Sequence, residues 1–234
     1  WSAGFGLNYG FLLDAYQRGT LEQGALTTLL LCLFTIVGSL LAGVGLAAML
    51  TSGKPWLAKP ARVFIEVTRN TPTLVQLYCA FLVLNMLLTQ AVGAANPLTP
   101  FAWVVIVISL HKGAFHAEAL RAGIEAVPGV TMEAASSLAF SSRQLLWNVQ
   151  LPLALRFALP SLINNLIDLV KMTAVASAIA VGDITYAAIM IWTQSDNVLE
   201  LMILILSFFG LLSFIVNCAG RYLEARLRMP GYGH

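Results

Sequence analysis

The chain has 234 residues, of which 59% are hydrophobic and only 10% charged. A soluble domain carries about 25% charged residues, so this balance excludes an ordinary water-soluble fold and points to a membrane protein. The formal net charge of +2 is too small for a nucleic-acid binder, and the placement of charge says more than its sum.

Residues 1–20 (WSAGFGLNYGFLLDAYQRGT) hold several aromatics and few charges. They are expected to lie along the outer membrane interface. The chain opens at Trp1, native residues are expected to precede it, and no cleavable signal pattern is visible. Beyond them, charge-free runs mark the spans, because a crossing helix needs about 20 apolar residues with every backbone group paired internally. The pattern predicts an all-α integral membrane protein with five transmembrane helices over 22–51, 62–92, 98–124, 154–182 and 197–225. The second and third are divided by turn residues near Gly93, Pro97 and Pro100. The three cysteines, Cys32, Cys79 and Cys218, lie in apolar runs without metal-type spacing and are expected to be small buried hydrophobes.

Basic residues cluster after span 1 (Lys54, Lys59, Arg62, Arg69), around the connection between spans 3 and 4 (Lys112, Arg121, Arg143, Arg156) and in the tail (Arg221, Arg226, Arg228). The positive-inside rule then predicts the N terminus outside and the C terminus inside. It makes residues 126–152 a cytoplasmic loop, longer than most connections. Glu133 to Ala139 reads as a helix, Ser141 or Ser142 as the cap of a second helix running through Trp147, and Pro152 as the start of span 4. Small residues at 134–137 and 139 would let another backbone approach closely.

Four ordered stretches carry a resemblance. Residues 133–152 (EAASSLAFSSRQLLWNVQLP) resemble the EAA loop of ABC-importer permease subunits through Glu133, Ala134, Ala135, Leu151 and Pro152. Residues 63–78 (VFIEVTRNTPTLVQLY) resemble the second-span signature of polar amino acid permeases through Glu66, Arg69, Thr71, Pro72 and Gln76. Residues 113–128 follow through Phe115, Glu118, Arg121, Gly123 and Ile124, and residues 159–184 through Pro160, Asn164, Lys171 and Thr173. The likeness covers roughly residues 20 to 225, and the four stretches fall in order on the right spans. Three positions depart from the family pattern: Asn70 and Ala139 replace glycine, and Thr131 replaces glutamine.

The resemblance implies a type I ABC importer permease fold over 1–234, in a bacterial cytoplasmic (inner) membrane. It implies a second permease subunit, an ATPase dimer beneath that holds ATP and Mg, and a periplasmic amino acid-binding protein. It makes 133–152 a coupling helix docking on the ATPase, with Glu133, Ala134, Ala135, Leu138, Ala139, Leu151 and Pro152 as the coupling residues. Ala139, standing where the family has glycine, is expected to resist a left-handed turn and leave the loop straighter. The departures at Ala139 and Thr131 favour a heterodimer, in which a different permease carries the fuller loop.

Gln76, Asn164, Asp168, Lys171 and Thr173 are candidates for lining the substrate pathway, since intramembrane polar and ionisable groups face a cavity or a partner. Asp168 and Lys171 are also spaced to pair with each other. Arg62, Glu66 and Arg69 are expected to form an ion-pair ladder at the inner face, and Glu118 and Arg121 a structural pair. Gln76, Asn85 and Asn164 each need a hydrogen-bond partner. His111 and His116 read as interfacial or packed residues, and no cluster suggests a metal. The chain carries no Gly-x-x-x-x-Gly-Lys-(Ser/Thr) loop, so ATP hydrolysis is expected on the partner and no catalytic residue here. The alternative is a self-sufficient ion-coupled carrier using Asp168 and Lys171, against which five spans without an internal repeat argue.

Overall fold

The structure, a computed structural model, describes residues 7–93 and 96–227. Residues 1–6 and Arg228 of the sequence argument lie outside that range. The described residues are helical with no strand. After a short turn at Gly10–Leu12, the helices are α1 (Ala15–Thr51), α2 (Pro55–Arg69), α3 (Thr73–Val92), α4 (Pro100–Glu125), α5 (Gly129–Ser137), α6 (Ser142–Ile179), α7 (Ile184–Trp192) and α8 (Val198–Leu227). Five of them, α1, α3, α4, α6 and α8, are long and apolar enough to cross a membrane.

The first span begins earlier than expected, at Ala15 and not at residue 22, and three further differences each have a local reason. Residues 62–92 are not one span. Pro72 disfavours helical backbone at Thr71, and α2 ends at Arg69 with Asn70 as its cap. Arg62, Glu66 and Arg69 therefore belong to a separate short helix. Span 4 does not begin near 154: the helix starts at Ser142 and runs through Pro152. A proline inside a helix lacks an N–H and crowds the carbonyl four residues back. Here the preceding turns, Leu146–Gln150, widen into a π-helix that makes room. Finally, 183–196 is not a bare outer loop. Asp183 caps a further apolar helix, α7, its carboxylate accepting from Tyr186 N at 2.9 Å.

The chain divides into two compact units. The first comprises Trp1–Thr35, Thr73–Ile108 and Leu169–Phe214. In it Phe11 and Leu21 pack with Ala187, Ala188, Ile191 and Leu201. The N-terminal stretch is thus partly anchored on protein: Phe11 is buried, and Asn8 N donates to the buried Glu200 at 2.7 Å, while Leu13 and Tyr16 stay exposed. Asn85 finds its partners here. Its Oδ1 accepts from Trp103 Nε1 and from Asn96 Nδ2, both at 2.9 Å, which ties α3 to α4 as unpaired amides in lipid must be tied. Ile184 N donates to the buried Thr28 Oγ1 at 3.0 Å.

The second unit comprises Ile36–Pro72, Ser109–Asp168 and Ile215–His234. Here α1 and α4 approach through glycines. A Cβ on Gly113 would stand 2.6 Å from Ala42 Cβ, and one on Gly43 would stand 2.5 Å from His116 Cβ, so only glycine allows the contact. Ala47 and Ile65 pack with Ala114 and Ala117. Of the cysteines, Cys32 is buried but Cys79 and Cys218 are exposed. Apolar side chains on a membrane helix need not enter a protein core, because lipid is as apolar as leucine.

Candidate functional site

Two features of the second unit carry the polar residues singled out in the sequence. The first is a helical elbow. Pro128, with φ −62° and ψ 133°, stops the chain after α4 and starts α5 at Gly129. Within α5, Ser136 and Ser137 turn their hydroxyls onto the carbonyls of Met132 and Glu133 at 2.9 and 3.0 Å. The helix ends at Leu138, and Ala139 takes φ 58°. The expectation of a straighter loop is therefore corrected: alanine occupies the left-handed position that glycine holds in the family pattern. Hydrogen bonding on both sides over-determines the turn. Ala139 N donates to Ser136 O at 3.0 Å. Two residues on, Ser141 and Gln144 form a capping box, with Ser141 N donating to Gln144 Oε1 at 2.9 Å and Gln144 N donating to Ser141 Oγ at 3.4 Å.

The elbow has an inner and an outer face. Val127, Leu153 and Ala154 form a buried cluster, with Ile124, Met132, Val149 and Phe157 packed against it. Ala135 is buried as well, so its small side chain serves packing inside the chain and is not offered to a partner. Glu133, Ala134, Leu138, Ala139 and Pro152 are exposed and Leu151 is half-buried. Val130, Leu138 and Trp147 are 72%, 75% and 61% exposed. Three large apolar side chains standing out from a short polar elbow form a surface that a partner of complementary shape can cover.

The second feature is a chain of charges along α4. Arg121 donates from Nε and Nη2 to Glu118 Oε2 at 3.0 and 2.8 Å and from Nη1 to Glu125. Glu118 Oε1 lies 3.9 Å from Arg69 Nη1. The expected ladder within α2 is not formed: among the described residues no ion pair joins Arg62, Glu66 and Arg69, and Arg69 reaches α4 instead. Its guanidinium carbon sits 5.2 Å from the Phe115 ring centroid, and Lys112 Nζ lies 4.8 Å from the same centroid.

Lys112 also donates to Asp168 Oδ2. The Lys112 side chain is only 3% exposed, whereas that of Asp168 is 54% exposed. The spacing of Asp168 and Lys171 suggested a pair on one helix. An ion pair with Lys112 reaches from α6 to α4, across residues far apart in sequence. Ser161, Asn164 and Asp168 are all exposed on α6, while Leu159, Leu162 and Ile163 are buried. Their spacing puts the three polar residues on one stripe. A polar stripe turned away from the protein core of a membrane helix faces water or another subunit, not lipid.

The remaining candidates lie in the first unit. Gln76 is half-buried and Lys171 exposed. Thr173 is fully buried; its hydroxyl donates to Val170 O at 2.8 Å and approaches Cys32 Sγ at 3.7 Å. Thr173 therefore packs within the protein and lines no open path in this conformation. Sequence reasoning missed Lys112 as a buried cation; of the two readings given for His116, the structure has the packed one, a fully buried imidazole whose ring nitrogens have no hydrogen-bond partner among the described residues. Gly43 and Gly113 were the signal for that packing, since they let α1 close over the ring. Among the described residues no group of His, Cys, Asp or Glu could hold a metal ion.

Comparison with known proteins places this architecture. The profile of the family described as "Binding-protein-dependent transport system inner membrane component" matches residues 35–229. A "Probable amino-acid ABC transporter permease protein y4tF" of Sinorhizobium fredii is 32% identical, the match covering 85% of each chain. A "Probable glutamine ABC transporter permease protein GlnM" of Bacillus subtilis is 30% identical over 94% of this chain and 98% of that one. Among solved structures, a chain of an "amino acid ABC transporter with histidines" superposes with a TM-score of 0.80 at 28% identity, covering 92% of this chain and 98% of that chain. With a match across most of its length, and five helices fit to cross a bilayer, the chain belongs to the family of binding-protein-dependent transport system inner membrane components, as a multi-pass protein of the cytoplasmic membrane.

Proposed function

We propose that this chain is one of two permease subunits of an ATP-driven importer for polar amino acids, oriented with its N terminus outside and its C terminus inside. The amino-acid class is supported by the names of the relatives, among them the glutamine permease GlnP of Escherichia coli, 31% identical over 89% of this chain. The orientation is supported by the basic residues around 54–69 and 121–156. ATP and Mg belong to an ATPase dimer on the cytoplasmic side, and a periplasmic binding protein delivers the amino acid. ATP binding draws the elbow inward and shifts the pathway between its two openings, because nucleotide binds the two states unequally.

The observation that carries the coupling role is the exposure of Val130, Ala134 and Leu138 on the outer face of the elbow. Glu133 stands beside them, placed to meet a basic residue of the ATPase groove. Within the second unit, the pathway is assigned to the stripe of Asn164 and Asp168. We propose a different chain as the second permease. Its support is Thr131, since Ala139 holds the turn that glycine would have held.

Co-purification tests the coupling role. Leu138→Asp and Ala134→Asp each place an unpaired charge on the proposed contact. The tagged complex is expected to lose its ATPase while the membrane subunits stay folded. Retention of the ATPase together with unimpaired amino-acid uptake in both variants refutes it. A fully active complex containing a single kind of permease chain refutes the heterodimer.

A further inference from the structure

We infer that this chain holds one anionic phospholipid of the inner leaflet, with an acyl chain in a trough between α1, α4 and α6 and the phosphate on Arg143. The site lies wholly within the second unit. Its placement at the inner leaflet rests on the orientation proposed above.

The trough is the starting point. Its volume is about 610 Å³, within the range of ligand pockets, about 300–1,000 Å³. Val44 and Thr51 belong to its α1 wall, Ile124 to its α4 wall, and Trp147 and Leu155 to its α6 wall. Residues seven or eight apart share a helix face, and eight residues extend about 12 Å along a helix. The cavity therefore runs lengthwise between helices, a shape suited to a chain more than to a compact solute. Its lining is almost wholly apolar, with Thr51 and Gln150 the polar side chains among the described residues. Val44, Trp147 and Leu155 remain 59%, 61% and 47% exposed, so no described residue closes the trough.

Charge distinguishes the two ends of the trough. Thr51 closes α1, Ile124 lies one residue from the end of α4, and Trp147 stands near the start of α6. All three walls thus reach the elbow side together. There Trp147 also borders a shallow polar cup with Ser141, Arg143, Gln144 and Asn148. The Arg143 guanidinium makes no hydrogen bond or ion pair with a described residue. Among the described residues no acidic side chain lines the cup or the trough, and Glu125, next to Ile124, is taken by Arg121. An apolar trough that opens at one end onto a lone cation matches an acyl chain with a phosphate at its head, because a guanidinium grips phosphate oxygens with paired donors. Tryptophan at the seam is in keeping, since its amphipathic ring collects at headgroup level. The bound lipid packs α1 against the root of the elbow and is a structural ligand of that end of the chain.

Quenching of Trp147 fluorescence by brominated lipid reads this in the whole permease–ATPase complex, reconstituted into phosphatidylcholine vesicles. The Trp147 signal is the difference between the complex and its Trp147→Phe variant. Phosphatidylglycerol brominated on its acyl chain is expected to quench at about fivefold lower mole fraction than phosphatidylcholine brominated in the same way. Arg143→Gln should abolish that preference and Arg143→Lys should keep most of it. Ala48→Phe fills the trough from an exposed position and should weaken quenching by both lipids. Equal quenching by the two lipids in the wild type, or a preference that survives Arg143→Gln, overturns the inference. Quenching by neither lipid shows that another protein subunit covers the trough in the complex, and overturns it too. Orientation is read separately, by labelling Ser142→Cys with an impermeant maleimide in intact spheroplasts, with Cys79→Ser and Cys218→Ser in the background. Labelling only after permeabilisation upholds the orientation, so a failed lipid preference then counts against the lipid site alone. Labelling from outside overturns the orientation and the inner-leaflet placement with it.

Discussion

Replacing Ala139 with glycine is predicted to strengthen the elbow, although it removes atoms. Ala139 is exposed, so its methyl group contributes no packing. It holds φ 58°, a conformation that costs an L-residue about 1–2 kcal/mol because Cβ crowds the following carbonyl. Glycine avoids that cost but loses about 0.5–1 kcal/mol of backbone entropy on ordering. The net gain is about 0.5–1 kcal/mol, equivalent to roughly two- to fivefold slower local opening. Hydrogen exchange of the amides at Ser136, Ser137, Leu138 and Ala139 in the purified complex reports it. Ala139→Val is the counter-test: β-branching makes the left-handed region less accessible, so the same amides should exchange faster than in the wild type. Ala139→Gly exchanging faster than wild type, or Ala139→Val exchanging more slowly, refutes the argument that backbone strain is stored at this turn.

Two further predictions concern the caps. Ser141→Ala removes the acceptor for Gln144 N and should cost about 1 kcal/mol at the start of α6. Ser141→Asp should restore most of it, as read by exchange at Arg143 and Gln144. Asp183 lies outside the spanning helices, and burial pushes its carboxyl up to about 6, with the hydrogen bond from Tyr186 N opposing. The folded value is above the unfolded one, so its contribution is fully present below about pH 4 and lost as pH rises through about 6, a change of roughly 2–3 kcal/mol. Asp183→Asn keeps a capping oxygen without the buried charge. It should flatten the pH dependence of α7 protection between pH 4 and 6, and equal slopes in variant and wild type would sink the assignment.

Much of the fold was legible because lipid simplifies the code. Long charge-free runs announced α1, α4 and α8, although α1 begins upstream of Arg18 and Glu22 and α4 continues through Lys112, Glu118 and Arg121. The elbow was legible from Ser141 and the small residues before it. What was not legible depended on tertiary contact. Arg62, Glu66 and Arg69 have spacing suited to a ladder, yet Arg69 is drawn to Glu118 on another helix, and no local rule foretells that choice. Pro72 did signal the break after α2, but hydropathy across 62–92 masked it. Lys112 pairs with Asp168 across 56 positions, beyond any periodicity. Ala139 was misjudged because propensity ranks residues singly, whereas the flanking caps of Ser136 and Ser141 fix its dihedral angle together.

Gly123 makes a mechanical point. A Cβ there would collide with the Ala154 carbonyl and stand 2.9 Å from Ala158 Cβ, so α4 and α6 touch backbone to backbone immediately beside the elbow. Such a contact behaves as a clamp at the root of a lever. A force applied at Leu138 cannot be dissipated by splaying the two helices that the elbow joins, because interiors packed at this density are stiff. Under the coupling role proposed above, the load passes instead into both helices at once, and a stroke delivered at the elbow becomes displacement of the polar stripe on α6.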